Sequence, residues 1–182
     1  MSQPPAPARR RFLWLAAGLG GAALGLGASY LYRRDPLQQR PYPPATVNET
    51  ERCPVCGMYP ARFPRWQAQI VLSSGERLSF DSLIEVFRYQ AKHPTLNIAD
   101  LYVSDYGDPS DQRRDTPHTW LPASEALFVI GTTLKGPMND PALPAFASPS
   151  AARALAQQTG GRLLAYADLT PELQQQLVHR QH

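Results

Sequence analysis

Residues 66–104 read WQAQIVLSSGERLSFDSLIEVFRYQAKHPTLNIADLYVS. Residues 66–72 and 77–80 are short runs of strand formers on either side of Ser74-Gly75, the spacing of a β-hairpin. Asp81 or Ser82 can cap a helix whose apolar stripe, Leu83, Ile84, Val86, Phe87 and Ala91, recurs at helical spacing and stops before Pro94. Residues 98–104 make a further strand. The order is ββαβ.

Moving toward the C-terminus, the same order returns. Residues 126–130 read as a strand, the stretch around 135–138 as a short extended segment, 150–158 as a helix stopped by Gly160-Gly161, and 163–166 as a strand. Phe80-Asp81-Ser82 before the first helix is echoed by Phe146-Ala147-Ser148 before the second. The expectation is an α+β fold of two repeated ββαβ units, residues 52–106 and 107–170, with the Asp-, Pro- and Thr-rich connection 106–122 as their seam. Residues 171–182 read as a polar tail or helix appended to the second unit.

Toward the N-terminus, residues 35–51 are Pro-rich and aperiodic and read as a stiff linker, so that folding would start near Arg52. Residues 12–32 carry no charge, hold five glycines, and follow Arg9-Arg10-Arg11 and precede Arg33-Arg34. Residues 1–34 are therefore an export signal or a membrane anchor, and Arg9-Arg10-Arg11-Phe12-Leu13 resembles the twin-arginine export signal. Either role puts the remainder outside the cytoplasm, in the periplasm. The net charge of +3 belongs to this leader, because residues 41–182 hold 12 bases against 14 acids. No basic stripe remains to track phosphates, which excludes a nucleic-acid partner.

The chemistry is concentrated in Cys53-Pro54-Val55-Cys56-Gly57-Met58, which contains both cysteines of the 182-residue chain. Three readings of it compete. As a thiol-disulfide exchange motif it should open a helix, whose dipole lowers the first thiol's pKa, but Gly57, Pro60 and Pro64 forbid a long helix there. As a zinc knuckle it needs a second ligand pair, and His93, His118, His179 and His182 are not spaced to give one. As a Cu(I) site it uses two thiolates and a thioether, the soft donors that monovalent copper prefers. Met138, in Lys135-Gly136-Pro137-Met138-Asn139, is a second methionine in a polar loop and not in an apolar run. Such a placement suits a metal ligand better than a core filler. No nucleophile constellation with supporting context and no phosphate-cradling loop after a strand is present, so no catalysis is expected.

The Cys53 to Met58 element, Trp66-Gln67-Ala68-Gln69-Ile70, Phe80-Asp81, Asp105, Trp120, Ala126 and Pro137-Met138 together resemble the NosL family, accessory copper proteins of nitrous-oxide reductase maturation. The resemblance runs over about residues 52–168. It implies a two-unit ββαβ fold and a periplasmic Cu(I) chaperone that delivers metal to nitrous-oxide reductase or to its membrane assembly complex. Cys56 and Met58 match the family's Cys-Gly-Met copper element and Met138 its downstream methionine, with Cys53 as a further ligand. Phe80 and Asp81 also match, yet Phe80 can simply end a strand and Asp81 can cap a helix, while Trp66 and Trp120 read as core or seam residues. Members of the family are commonly lipoproteins attached through a cysteine at the signal end. This sequence has no Cys before Cys53, so an uncleaved helix holding it to the membrane, or a released soluble form, would replace the lipid. The alternative from another class is a periplasmic thiol-disulfide reductase acting on copper-site cysteines.

Overall fold

The computed structural model describes residue 37 and residues 40–107 and 119–179. The expected signal or anchor, residues 108–118 of the seam, and His118 and His182 lie outside the described residues. Among the described residues no helix is long and apolar enough to cross a membrane. The chain divides into two compact units, Met1–Pro41 and Tyr42–His182, and the described strands and α-helices all lie in the second.

The hairpin forms as β1 (Ala68–Leu72) and β2 (Arg77–Phe80). Ser82, not Asp81, caps helix α1 (Leu83–Lys92), its hydroxyl accepting the Glu85 amide at 3.4 Å. Strand β3 (Ile98–Ser104) follows, and β4 (Trp120–Pro122) emerges from the end of the connection expected to be only a seam. The first sheet is antiparallel in the order β2-β1-β3-β4. A second antiparallel sheet has the order β6-β5-β7, built from β5 (Leu127–Ile130), β6 (Ala145–Phe146) and β7 (Arg162–Ala165). Helix α2 (Pro149–Thr159) lies between β6 and β7 in sequence and is capped by Ser148 as α1 is by Ser82. Both repeats thus place their first strand centrally, with the second and third strands on either side.

The second repeat departs from expectation at its second strand. Lys135 makes only an isolated bridge with Pro141, and the strand paired to β5 is Ala145–Phe146. Residues 136–140 instead close a turn, with the Asn139 amide donating to the Gly136 carbonyl at 3.0 Å and Pro137 having no amide to offer a ladder.

Alternation along β5 shows how the sheets share their faces. Phe128 and Ile130 point into a large core that also takes Ala68, Ile70, Phe80, Ile84, Val86, Val103 and Leu164 from the rest of the fold. Leu127 and Val129 point the other way, onto Tyr106, Phe146 and Ala152 and Leu155 of α2. Asp105 joins the sheets: it bridges Ala145, and its carboxylate accepts the amides of Gly107 at 3.0 Å and Ala147 at 3.4 Å. Trp66 packs edge-on against Tyr106 at that junction.

Two boundaries need correction. The compact unit begins at Tyr42, not near Arg52, because the proline segment is bound through its carbonyls. Tyr102 donates to the Tyr42 carbonyl at 2.8 Å, Arg77 to that of Pro43, and the buried Gln69 amide pairs with both the N–H and the C=O of Ala45. The C-terminal segment is a helix, α3 (Pro171–His179), but not an appendage: Leu177 is 1% exposed and, with Leu173 and Val178, joins the large core.

Gly160 and Gly161 end α2 for different reasons. Gly160 adopts φ 75°, a left-handed cap. A Cβ on Gly161 would lie 2.7 Å from Val129 Cγ1 and 3.0 Å from the Ile130 carbonyl oxygen, so the close approach to β5 requires glycine. Gly161→Ala is expected to cost about 1–3 kcal/mol in urea unfolding, and Gly160→Ala about 1. Wild-type stability of Gly161→Ala would show that β5 yields and that this packing is not tight.

Candidate metal centre

Cys53 to Met58 forms a single closed turn and not the start of a helix. The Gly57 amide donates to the Cys53 carbonyl at 2.9 Å, the Cys53 amide to the Met58 carbonyl at 2.8 Å, and Gly57 takes φ 74°. Arg52 lies over the Tyr59 ring and donates to the Gly57 carbonyl at 3.0 Å, bracing the loop from outside. From inside, Cys53 is 2% exposed and belongs to the large core, with Val55 and Cys56 packed against it.

The loop sets its thiols against the N-terminal end of α1. Cys56 Sγ donates to Asp81 Oδ1 at 3.2 Å. One ligand atom each from Cys53, Cys56 and Glu85 falls within a mutual distance of 4.8 Å. Asp81 and Glu85 are buried, and among the described residues Asp81 Oδ2 and Glu85 Oε2 have no hydrogen-bond partner. Arg88, one helical turn on, forms an ion pair with Glu85 and donates to Asp140 Oδ2 at 3.0 Å.

Burial dominates the electrostatics. Desolvation pushes the Cys56 thiol far above its ordinary value of 9.0, with the Asp81 carboxylate adding to the effect, and it raises Cys53 as well. Burial also raises Glu85, against the opposing pull of Arg88. Raised thiols are the reverse of what a disulfide-exchange nucleophile needs, and the turn lacks the helix N-terminus that would lower them. The histidines offered for a zinc knuckle stand elsewhere: His93 stacks on Tyr89 at the end of α1, His179 ends α3, and the cluster of described ligands contains no histidine.

Of the four ligands expected from sequence, the structure therefore brings Cys53 and Cys56 together, with Met58 half-buried in the same turn. Met138 is 45% exposed, on the 136–140 turn. Residues 136 and 140–143 of that segment pack beside Ser82, Leu83 and Ile84 at the start of α1. Phe80 is fully buried core. Asp81 faces the thiols instead of capping the helix, and Glu85 and Arg88 are the partners sequence reasoning missed. The available signal was a carboxylate, Glu85, inside the apolar run Leu83-Ile84-Val86-Phe87.

Comparison with known proteins identifies the family. The NosL family model matches residues 44–174. The chain belongs to the NosL family. It is 32% identical over 169 residues to the copper-binding lipoprotein NosL of Stutzerimonas stutzeri, covering 92% of this chain and 86% of that one. It is also 32% identical over 120 residues to the protein of the same name from Achromobacter cycloclastes, covering 63% and 61%. The crystal structure of the copper chaperone NosL from Shewanella denitrificans superposes with a TM-score of 0.62 at 24% identity, over 73% of this chain and 99% of that one, and shows the shared fold.

The thiol shifts have a sign that can be checked. The folded chain of this NosL-family protein keeps Cys56 protonated where an unfolded chain would ionise it. The corresponding stability is present below about pH 8.5 and is lost as the pH rises above that value. The urea midpoint should therefore fall between about pH 8.5 and pH 10.5, and fall less in Cys56→Ser. Alkylation of the folded chain at pH 8 should run at least roughly tenfold slower than that of the unfolded chain. A Cys56 as reactive as a free thiol would contradict the desolvated, protonated state.

Proposed function

We propose that this NosL-family protein is a periplasmic Cu(I) carrier that delivers copper to nitrous-oxide reductase or its membrane assembly complex, with no catalysis of its own. Copper is the cargo. Cys56 is the principal ligand, Cys53 the second thiolate, and Met58 and Met138 the thioethers. The observation that carries the reading is the convergence, within 4.8 Å, of the Cys53 and Cys56 thiols, from a turn that also contains Met58, with the Glu85 carboxylate of α1. Soft sulfur donors favour Cu(I) over harder divalent ions. The names of the relatives, copper-binding lipoprotein and copper chaperone, support the same cargo. Export by the twin-arginine-like signal, or anchoring in the inner membrane through residues 12–32, belongs to this reading, and the desolvated thiols weigh against the thiol-disulfide reductase alternative.

Titration of the full chain with Cu(I) against a chromophoric chelator should give one ion per chain. Cys56→Ser should abolish tight binding, because the thiolate supplies the charge that neutralises the cation. Met58→Leu should weaken binding without abolishing it, at a stability cost below about 1.5 kcal/mol. Equal or tighter binding of Zn(II), or disulfide exchange lost in Cys53→Ser with copper binding intact, would overturn the copper reading.

A further inference from the structure

Met138 and the cysteines lie far apart in sequence, and one side chain ties the helix whose Glu85 stands beside the thiols to the turn that carries Met138. Arg88 Nη1 contacts both Glu85, whose carboxylate is beside the thiols, and Asp140, two residues beyond Met138. All three groups are withdrawn from water, with side-chain exposures of 1% for Glu85, 16% for Arg88 and 4% for Asp140. A carboxylate buried to that degree is held in place by its cation, because losing the partner leaves an uncompensated charge. Both contacts are made by the same nitrogen, and lysine, whose ammonium nitrogen ends one bond nearer its Cα than Nη1, could not reach both acids equally.

The turn carrying Met138 passes that constraint along with little slack. Its ends are tied by the Gly136 amide donating to the Asp140 carbonyl at 2.9 Å and by the Lys135 to Pro141 bridge. Within it the Asn139 amide closes on Gly136, Pro137 has its φ fixed by its ring, and Asn139 takes φ 60°. Fixing Asp140 therefore fixes the backbone of Met138, leaving the thioether's own rotamers as its main freedom.

We propose that Arg88 is the positioning residue of the metal site: by holding Glu85 and Asp140 together it sets the Met138 turn at the reach required to close on a metal bound by the cysteine turn. This rests on the reading of Met138 as a ligand. Loss of the clamp should cost as much copper affinity as loss of the thioether, and the two losses should not add.

The test is a double-mutant cycle on the full chain, reading Cu(I) affinity by chelator competition for wild type, Asp140→Asn, Met138→Leu and the double variant. Each single change should weaken Cu(I) binding about tenfold, the lower end of what loss of a supporting contact costs a metal site. The double variant should bind no more weakly than the worse single. X-ray absorption of the copper-loaded Asp140→Asn protein should count one sulfur neighbour fewer than wild type, a signature that a merely structural role for Asp140 would not produce. Wild-type affinity in Asp140→Asn, or losses that multiply in the double variant, would overturn the proposal while leaving Met138 a ligand. Wild-type affinity in Met138→Leu would remove the ligand reading and the proposal with it. Should Asp140→Asn fail to fold, Arg88→Lys, which retains a positive charge between the two acids, takes its place in the same cycle with the same two outcomes.

Discussion

Two thiols and two carboxylates share one buried patch at the N-terminal end of α1, and water is largely excluded from it. Desolvation of this kind is costly for any charged group without a partner. The surrounding structure answers that cost at each position. Cys56 remains a thiol and spends its proton on Asp81, Glu85 is met by Arg88, and Arg88 in turn is met by Asp140 from a distant turn. Among the described residues, three polar atoms of the patch are still unmatched: Asp81 Oδ2 and Glu85 Oε2, of the two acids that flank the thiols, and Arg88 Nη2. A patch arranged in this way is anionic in character and has donor capacity in reserve, which is the condition a cation would relieve.

The internal repeat makes the origin of this arrangement visible. Counted from their caps, Ser82 and Ser148, the two helices correspond position by position. One apolar position survives the comparison, Val86 matching Ala152 with both fully buried, whereas the buried Ile84 and Phe87 stand opposite the exposed Ser150 and Arg153. The polar cluster is not repeated: Asp81, Glu85 and Arg88 of the first repeat stand where the second has Ala147, Ala151 and Ala154. The same strand order and the same serine cap are therefore compatible with both a charged and an inert helix start. The second repeat acts as scaffold. Its contribution to the patch comes from the connection between β5 and β6, in the 136–140 turn that supplies Asp140 and carries Met138.

Elements whose burial is periodic were legible in the sequence. Strands β2 and β3 have the expected limits, and α1 follows its apolar stripe. Strand β1 starts two residues later than expected because the Trp66 amide is taken by the Phe63 carbonyl in a local turn. What pattern could not reveal is structure held by isolated polar contacts. The proline segment from Tyr42 has no periodicity, yet Gln69, a polar residue on an otherwise apolar strand, required a buried partner and found it in Ala45. Strand β6 is two residues long and offers no alternation to read. The site divides along the same line: the cysteine turn is local and was legible, whereas the acids join it only through tertiary folding.

The position of the thiols within the core also bears on how a bound ion could be held and released. Cys53 is core, and its sulfur can move only if the packing of both sheets moves with it. Cys56 and Met58 are half-buried at the rim of the same turn, and Met138 is the largely exposed member of the expected set. The donors thus form a gradient from fixed to accessible. In the proposed carrier the buried end would secure the ion, while the exposed thioether, weaker as a donor than a thiolate, is the contact a recipient's own sulfur could displace first. A gradient of this kind separates retention from transfer without any large motion, because exchange would begin at the one ligand on a surface turn while the remaining ligands still held the metal.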